Sequence, residues 1–309
     1  MRHGGWPENT DFGRARATRS LSALMDLEPL GIVPPDNDGQ VGRDPVVQQI
    51  EKLLDENKLE EGIEAIQDAM AKRQGNTLDL TFLLGDAYLG LGRAKDAEPQ
   101  FRAVLREDPD CPSSRCWLAM SLFLQWRFAE AETAVQAARE CPGAIVDAEV
   151  IHGALLERHG RFDEAEPFFL RASAAAPDKY PPPVRMSRAE FDREVRKAAR
   201  KLPRQFRTCF DRVPVVVQDV PDQKLAEGED RDEVAPDILG LFDGVPLPET
   251  SQFDMPQTSP NTIYLFQRNL ERAAKDRDDL IEQIRITLYH ELGHYLGFEE
   301  EDMDDLGLA

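Results

Sequence analysis

The sequence predicts a multidomain protein in which an all-α solenoid of helical hairpins is followed by a small α+β domain. Two observations lead to this prediction. A helical pattern recurs every 34 residues in the first part of the chain, and short β-branched runs appear only after a proline-rich break. The length of 309 residues is about twice a typical domain of roughly 150 residues, so two compact units are expected.

The repeating pattern occupies residues 78–179 in three copies, and a weaker copy precedes it at 43–77. Small residues recur where two helices meet, large apolar residues where the next repeat packs, and proline near the end of the second helix. These positions form three sets, and each set lies 34 residues after the one before. The sets are Gly85, Tyr88, Ala97, Phe101 and Pro109, then Ala119, Leu122, Ala131, Val135 and Gly143, then Gly153, Leu156, Ala165, Phe169 and Pro177. This series resembles the tetratricopeptide repeat. The resemblance implies a curved solenoid whose concave face binds a protein or peptide partner.

Three successive prolines at positions 181–183 end the repeats, because proline cannot continue a helix and favours an extended spacer. The segment before the repeats is rich in Gly, Pro and Asp and shows no sustained period. We therefore divide the chain into a flexible leader (1–44), the solenoid (45–179), a Pro-rich linker (180–185) and a second domain (186–309).

The second domain is predicted to contain few strands and two principal helices. Ser187 and Glu190 have the spacing of a capping box, which starts the first helix and carries it to about Lys201. Apolar residues at helical spacing predict the second helix over 278–296. Three runs between them predict strands near 213–220, 238–242 and 262–267.

The second of these helices carries the sequence His290-Glu291-Leu292-Gly293-His294. Four residues advance about 400° and about 6 Å along a helix, so both imidazoles project from one face and can share one Zn²⁺. Glu291 is rotated by about 100° from His290 and can act as general base toward an attacking water and then as acid toward the leaving group. The motif therefore predicts a zinc site with Glu291 as its catalytic residue.

A third zinc ligand is expected in the acidic run that follows Gly297. Carboxylates beyond a helix C-terminus oppose the helix dipole, and a bound cation would reverse that cost. Spacing selects Glu300, which lies three residues after the glycine, where a longer zinc motif places a histidine. Glu299 and Glu301 remain alternatives. His290, His294 and Glu300 would leave a fourth position open, as catalytic zinc prefers.

Residues 186–309 resemble the minimal zincin-like metallopeptidases. The likeness rests on short motifs spread over the whole second domain, which include Leu239-Gly240-Leu241-Phe242-Asp243-Gly244, Thr262-Ile263-Tyr264-Leu265-Phe266, Thr287-Leu288-Tyr289 and the histidine motif with Gly297. It implies a short mixed sheet over the active-site helix and an acidic ligand matching Glu300. By analogy with larger zincins, residues 262–267 are the expected edge strand for substrate. The sequence identifies no oxyanion donor, because Tyr264, Tyr289 and Tyr295 are expected to pack.

Two functional readings follow from these features. In the first, the protein is a zinc-dependent metallopeptidase that cleaves peptide substrates, and the repeats recruit a substrate or partner. In the second, it is a non-catalytic interaction protein whose zincin domain is a metal-stabilised docking module. Glu291 favours the first reading, because a purely structural metal site has no need of a carboxylate there. Zinc hydrolysis of a non-peptide amide or ester is a weaker third reading.

Charge and composition exclude several other classes of function. The chain has 37 Lys and Arg against 58 Asp and Glu, a formal net charge of −21. Nucleic acids and anionic membrane surfaces are therefore not expected partners. No signal peptide or 18-residue apolar stretch is visible, and four scattered cysteines do not form a disulfide framework. These features predict a cytoplasmic protein.

Overall fold

The computed structural model describes residues 44–202, 204–227, 234–247 and 261–298. Within these residues a solenoid of helical hairpins is followed by a small three-stranded sheet with its own helices. This architecture confirms the predicted fold class. The predicted flexible leader lies outside the described residues, apart from Asp44.

The solenoid consists of four antiparallel helical hairpins, one for each predicted repeat, including the weaker first copy. Their helices are α1 Pro45–Asp55, α2 Leu59–Lys72, α3 Thr77–Gly90, α4 Ala94–Glu107, α5 Pro112–Leu124, α6 Phe128–Glu140, α7 Asp147–Arg158 and α8 Phe162–Ala175. The first helices of successive hairpins contact one another, α1 with α3, α3 with α5 and α5 with α7. They therefore form the inner row of the solenoid, and α2, α4, α6 and α8 lie outside it.

Small residues permit the close helix contacts that the repeat pattern predicts. Ala97, Ala131 and Ala165 are fully buried at the same position of three hairpins. A side chain on Gly153 would place its Cβ 2.8 Å from the ring of Phe169, so α7 and α8 touch through a glycine and an aromatic face. The periodic small and large apolar residues are thus mostly in the core of the solenoid, whereas Pro109 and Pro177 are exposed.

The second domain follows a linker that begins at Tyr180, five residues after the end of α8. Its elements are α9 Arg188–Lys201, α10 Arg204–Phe210, β1 Val215–Gln218, β2 Gly240–Asp243, β3 Thr262–Phe266, α11 Gln267–Ala273 and α12 Arg277–Leu296, with a 3₁₀ turn at Gln223–Ala226. The capping box of Ser187 and Glu190 is formed, as predicted. The short helices α10 and α11 were not predicted, and Gln267 begins α11 instead of ending the preceding strand.

The sheet has the strand order β1-β3-β2, with β1 parallel and β2 antiparallel to β3. The prediction that residues 262–267 form an edge strand is therefore wrong. Ile263 pairs with Val215 on one side and with Phe242 on the other, so β3 is the central strand. The antiparallel edge of the described sheet is β2. Helices α9 and α12 pack on the sheet and share its apolar core.

Buried ion pairs join the solenoid to the second domain. Glu157 on α7 and Glu271 on α11 are both fully buried. Arg185 of the linker donates to both, at 3.2 Å and 3.0 Å, and Arg272 of α11 also donates to Glu157. Burial lowers the pKa of Arg272 to about 10, so its guanidinium remains charged at neutral pH. Glu157 is thus compensated by cations of the linker and the second domain, and Glu271 by Arg185 of the linker and Arg268 of its own helix.

Replacing Gly153 with valine is expected to destabilise the solenoid by about 1–3 kcal/mol, because the added atoms overlap the packed ring of Phe169. Urea unfolding followed by circular dichroism measures the change. The matched control is Ala174→Val, at an exposed position of α8, which should cost about 0.5 kcal/mol through helix propensity alone. Equal effects of the two substitutions would contradict the proposed contact.

Asp86 on α3 should make the stability of the solenoid depend on pH. Burial raises the pKa of Asp86 to about 6, although the nearby Lys179 opposes the rise. In the unfolded chain the carboxyl group of Asp86 ionises near pH 4, below its pKa in the folded protein. Protonation of Asp86 therefore favours the folded state, and this stabilisation is complete below about pH 4 and is lost as pH rises through 6. Asp86→Asn should therefore raise the free energy of unfolding by roughly 2 kcal/mol at pH 8 and change it little at pH 4.

Urea titrations at pH 4 and pH 8 test this expectation. Asp68→Asn is the control, because Asp68 forms an exposed ion pair with Lys72 on α2. Its effect should stay below about 1 kcal/mol at both values. A stabilisation by Asp86→Asn that is as large at pH 4 as at pH 8 would show that ionisation is not its cause.

Candidate metal centre

The predicted metal-binding motif lies on α12, the longest of the described helices of the second domain. Asp276 caps the helix by accepting hydrogen bonds from the backbone N–H groups of Asp278 and Asp279, both at 2.9 Å. The two acidic residues of the first turn complement the helix dipole. Leu280, Ile284, Leu288 and Leu292 are fully buried against the sheet and α9. This packing determines which face of α12 the histidines occupy.

His290 and His294 converge at one turn of the helix. Their Nε2 atoms lie 3.0 Å apart, and the rings meet edge to face with centroids 4.6 Å apart. Two nitrogens bound to one Zn²⁺ at 2.0–2.1 Å in tetrahedral geometry lie roughly 3.3 Å apart. Both side chains are half-buried, so the ring nitrogens can be reached from solvent. The pair therefore suits a shared zinc ion.

Glu291 belongs to the same turn of α12 and is fully buried. A Cβ on Gly240, the first residue of β2, would lie 3.0 Å from the Cγ and Oε1 atoms of Glu291 and 2.6 Å from Cγ2 of Thr287. Strand β2 therefore approaches α12 through a position that has no side chain. Sequence analysis did not single out Gly240, although a glycine within a strand can mark a close backbone approach.

The proposed third ligand, Glu300, lies outside the described residues, as do Glu299 and Glu301. Within the described ranges, no group of three His, Cys, Asp or Glu side chains is placed to hold a metal ion. The helix ends at Gly297, whose φ of 79° is the left-handed conformation expected for a helix-terminating glycine. Phe298 then packs edge to face on Phe206, with centroids 6.2 Å apart. Gly297 and Phe298 are thus the last described residues before the acidic run.

The tyrosines near the motif have packing roles in the described structure. Tyr289 donates its hydroxyl to the carbonyl oxygen of Ala198 on α9 at 2.9 Å. Tyr295 is buried, and its ring lies 5.6 Å from that of Phe242. Tyr264 stacks on Phe266 at 6.4 Å. These contacts agree with the packing role that the sequence analysis favoured for them.

The inner row of the solenoid is partly covered by the chain itself. Asp147, at the start of α7, is buried and accepts hydrogen bonds from Lys179 at 2.7 Å and from the hydroxyl of Tyr180. Glu157, at the other end of α7, binds Arg185 and Arg272. The last hairpin is therefore engaged with the linker and the second domain.

Comparisons with known proteins agree with both resemblances. Residues 210–308 match the family model of the zincin-like metallopeptidases, and residues 82–145 match that of the tetratricopeptide repeat. The chain thus has a tetratricopeptide-repeat region that precedes a zincin-like segment. No curated protein matches the chain. None of the described helices is both long enough and apolar enough to cross a membrane.

Several solved structures are similar to the repeat region. MamA is 21% identical, over 42% of this chain and 75% of its own, with a TM-score of 0.35. A thermophilic TPR protein of Thermus thermophilus is 18% identical, over 43% and 73%, with a TM-score of 0.37. PilF of Pseudomonas aeruginosa is 17% identical, over 43% and 60%, with a TM-score of 0.35.

Gly240→Ala is expected to destabilise the second domain by about 1–3 kcal/mol, because its methyl group overlaps Thr287 and Glu291. Thr287→Ser removes the overlapping methyl group and keeps the hydroxyl, so the double variant should recover part of the loss. The four proteins form a double-mutant cycle in urea unfolding. Strictly additive effects would mean that β2 and α12 do not meet at this point.

Proposed function

We propose that the protein is a zinc-dependent metallopeptidase whose site comprises His290, His294, Glu291 and Glu300. The observation that carries this proposal is the 3.0 Å approach of the two imidazole Nε2 atoms on a helix turn that also carries a buried glutamate, Glu291. The match of residues 210–308 to a metallopeptidase family supports it. A structural zinc site would use four protein ligands and would not need Glu291.

In this proposal His290 and His294 bind the zinc ion through Nε2, and Glu300 supplies the third ligand. Zinc, when bound, acts as a Lewis acid toward the scissile carbonyl. The Glu291 carboxylate accepts a proton from the attacking water and then transfers it to the leaving nitrogen. The close packing of Gly240 and Thr287 holds Glu291 in place, so this carboxylate needs little reorganisation during the reaction.

We propose that the substrate is an extended peptide that lies along β2. This strand is antiparallel to β3 and forms an edge of the described sheet. Its first residue packs on Glu291, so a segment paired with β2 would run past the catalytic turn. An edge strand binds a peptide through main-chain hydrogen bonds and therefore tolerates varied side chains. The earlier hairpins of the solenoid would bind a protein partner or a remote part of the substrate.

Metal analysis and peptide cleavage test the proposal together. The purified protein should contain about one zinc ion per chain, and His294→Ala and Glu300→Ala should lose it. Glu291→Gln should keep the zinc ion and lower the turnover of a peptide library at least about 100-fold, because the amide cannot accept the proton. Elemental analysis and mass spectrometry of the cleaved peptides give the two measurements.

His159→Ala is the matched control, because His159 lies on the solenoid and contacts Glu132 at 2.6 Å. It should change neither zinc content nor cleavage. Loss of zinc in Glu299→Ala or Glu301→Ala, but not in Glu300→Ala, would reassign the third ligand. A protein that binds no zinc, or whose cleavage activity is the same in Glu291→Gln, would contradict the peptidase proposal and favour a repeat-based interaction protein.

A further inference from the structure

The backbone that leads into β2 is held directly by the repeat solenoid. Trp126 lies in the turn between α5 and α6 and donates its indole N–H to the carbonyl oxygen of Val234 at 2.7 Å. Its ring packs in a cluster with Val234 and Ile238, and the guanidinium carbon of Arg158 lies 4.8 Å from the ring centroid. Residues 234–239 enter β2 immediately after this contact. The turn of the third hairpin thus reaches the sheet of the other domain.

A second path connects the same backbone to the solenoid. Asn269 on α11 donates to the carbonyl oxygens of Pro236 and Ile238, at 3.2 Å and 2.6 Å. Its own oxygen accepts from Arg272 at 2.5 Å, and Arg272 also donates to Glu157 of α7. Both Asn269 and Glu157 are fully buried. The path therefore excludes solvent at both of its ends.

Both paths end in residues 234–238, which lead directly to the contact of Gly240 with Glu291. Ile238 and Leu239 are buried and are followed by Gly240, whose position against Glu291 leaves no space for a side chain. A displacement of the 234–239 backbone would therefore move β2 relative to α12. This connection is made of direct contacts between named atoms, and the covalent linker is not part of it.

We propose that the repeat solenoid is a positioning part of the metal centre, in which Trp126 and the Glu157–Arg272–Asn269 path hold β2 against Glu291. The structural part of this inference stands alone, and its catalytic consequence rests on the proposed function. The solenoid is then more than a tethered recruiting module. Ligands that move the turn at Trp126 would change how β2 presents a peptide to the site.

Two conservative variants separate these contacts from general stability. Trp126→Phe keeps an aromatic ring in the cluster and removes the N–H that binds Val234. Asn269→Asp keeps the oxygen that accepts from Arg272 and removes the amide that binds the two carbonyls. The control is Trp117→Phe. The indole N–H of this buried solenoid residue has no hydrogen-bond partner within the described structure, and the substitution lowers solenoid stability without touching the 234–239 backbone.

Hydrogen–deuterium exchange of the full-length chain is the first measurement. Trp126→Phe and Asn269→Asp should accelerate exchange in residues 238–243 about tenfold and leave β1 unchanged. Trp117→Phe should accelerate exchange only in the solenoid. Unchanged exchange in β2 for both test variants would overturn the inference, and so would an equal effect of the control on β2.

Peptide cleavage is the second measurement, and its result is interpreted separately from that of hydrogen–deuterium exchange. Both test variants should keep their zinc ion, raise KM several-fold and also lower kcat several-fold, because a displaced β2 weakens peptide pairing and loosens the packing that holds Glu291. Faster exchange in β2 without any cleavage by the unmodified protein would reject the proposed function and keep the structural coupling. Faster exchange with unchanged KM and unchanged kcat would overturn the positioning role.

Discussion

Two carboxylates without access to solvent, Glu157 on α7 and Glu271 on α11, determine how the two domains of this protein are joined. Removing an ionised carboxylate from water costs several kcal/mol unless cations and hydrogen-bond donors replace the water. Arg185 and Arg272 provide that replacement from the linker and from the second domain. Separating the domains would remove Arg272 from the buried carboxylate of Glu157, so this ion pair favours the joined arrangement of the solenoid and the sheet.

Arginine is suited to this interface for a physical reason beyond its charge. Its planar guanidinium can donate to two carboxylates at once and also stack on an aromatic ring. Arg185 and Arg272 both lie 5.7 Å from the ring centroid of Phe169, and Arg268 lies 4.6 Å from that of Phe162. In a chain with a net charge of −21, these three arginines lie where the domains meet.

The metal centre combines a local and a non-local requirement. The helix repeat alone brings His290 and His294 to one face of α12. The environment of Glu291 depends on the approach of β2 at Gly240, and β2 depends in turn on backbone that Asn269 and Trp126 hold. The histidine pair would form in any stable α12, whereas the setting of Glu291, the proposed general base, requires the assembled protein. The solenoid and the site are coupled through this second requirement.

The amino-acid sequence by itself determined the features that rest on local periodicity. The 34-residue pattern predicted all four hairpins, the spacing of Ser187 and Glu190 predicted a capping box, and the histidine spacing predicted one shared face on α12. Each of these depends on neighbours within a few turns of helix. The interactions that form them therefore join residues that lie close together in the sequence.

Only the tertiary structure decided the strand order and the contacts between domains. Residues 262–267 have the β-branched and aromatic composition of any strand. No feature of this segment's sequence indicates that β1 and β2 pair on either side of β3. Trp126 and Val234 are 108 positions apart, and Arg272 and Glu157 are 115 apart. Such pairs have no spacing rule, because they form only when separately folded segments pack and must satisfy each other's buried polar groups.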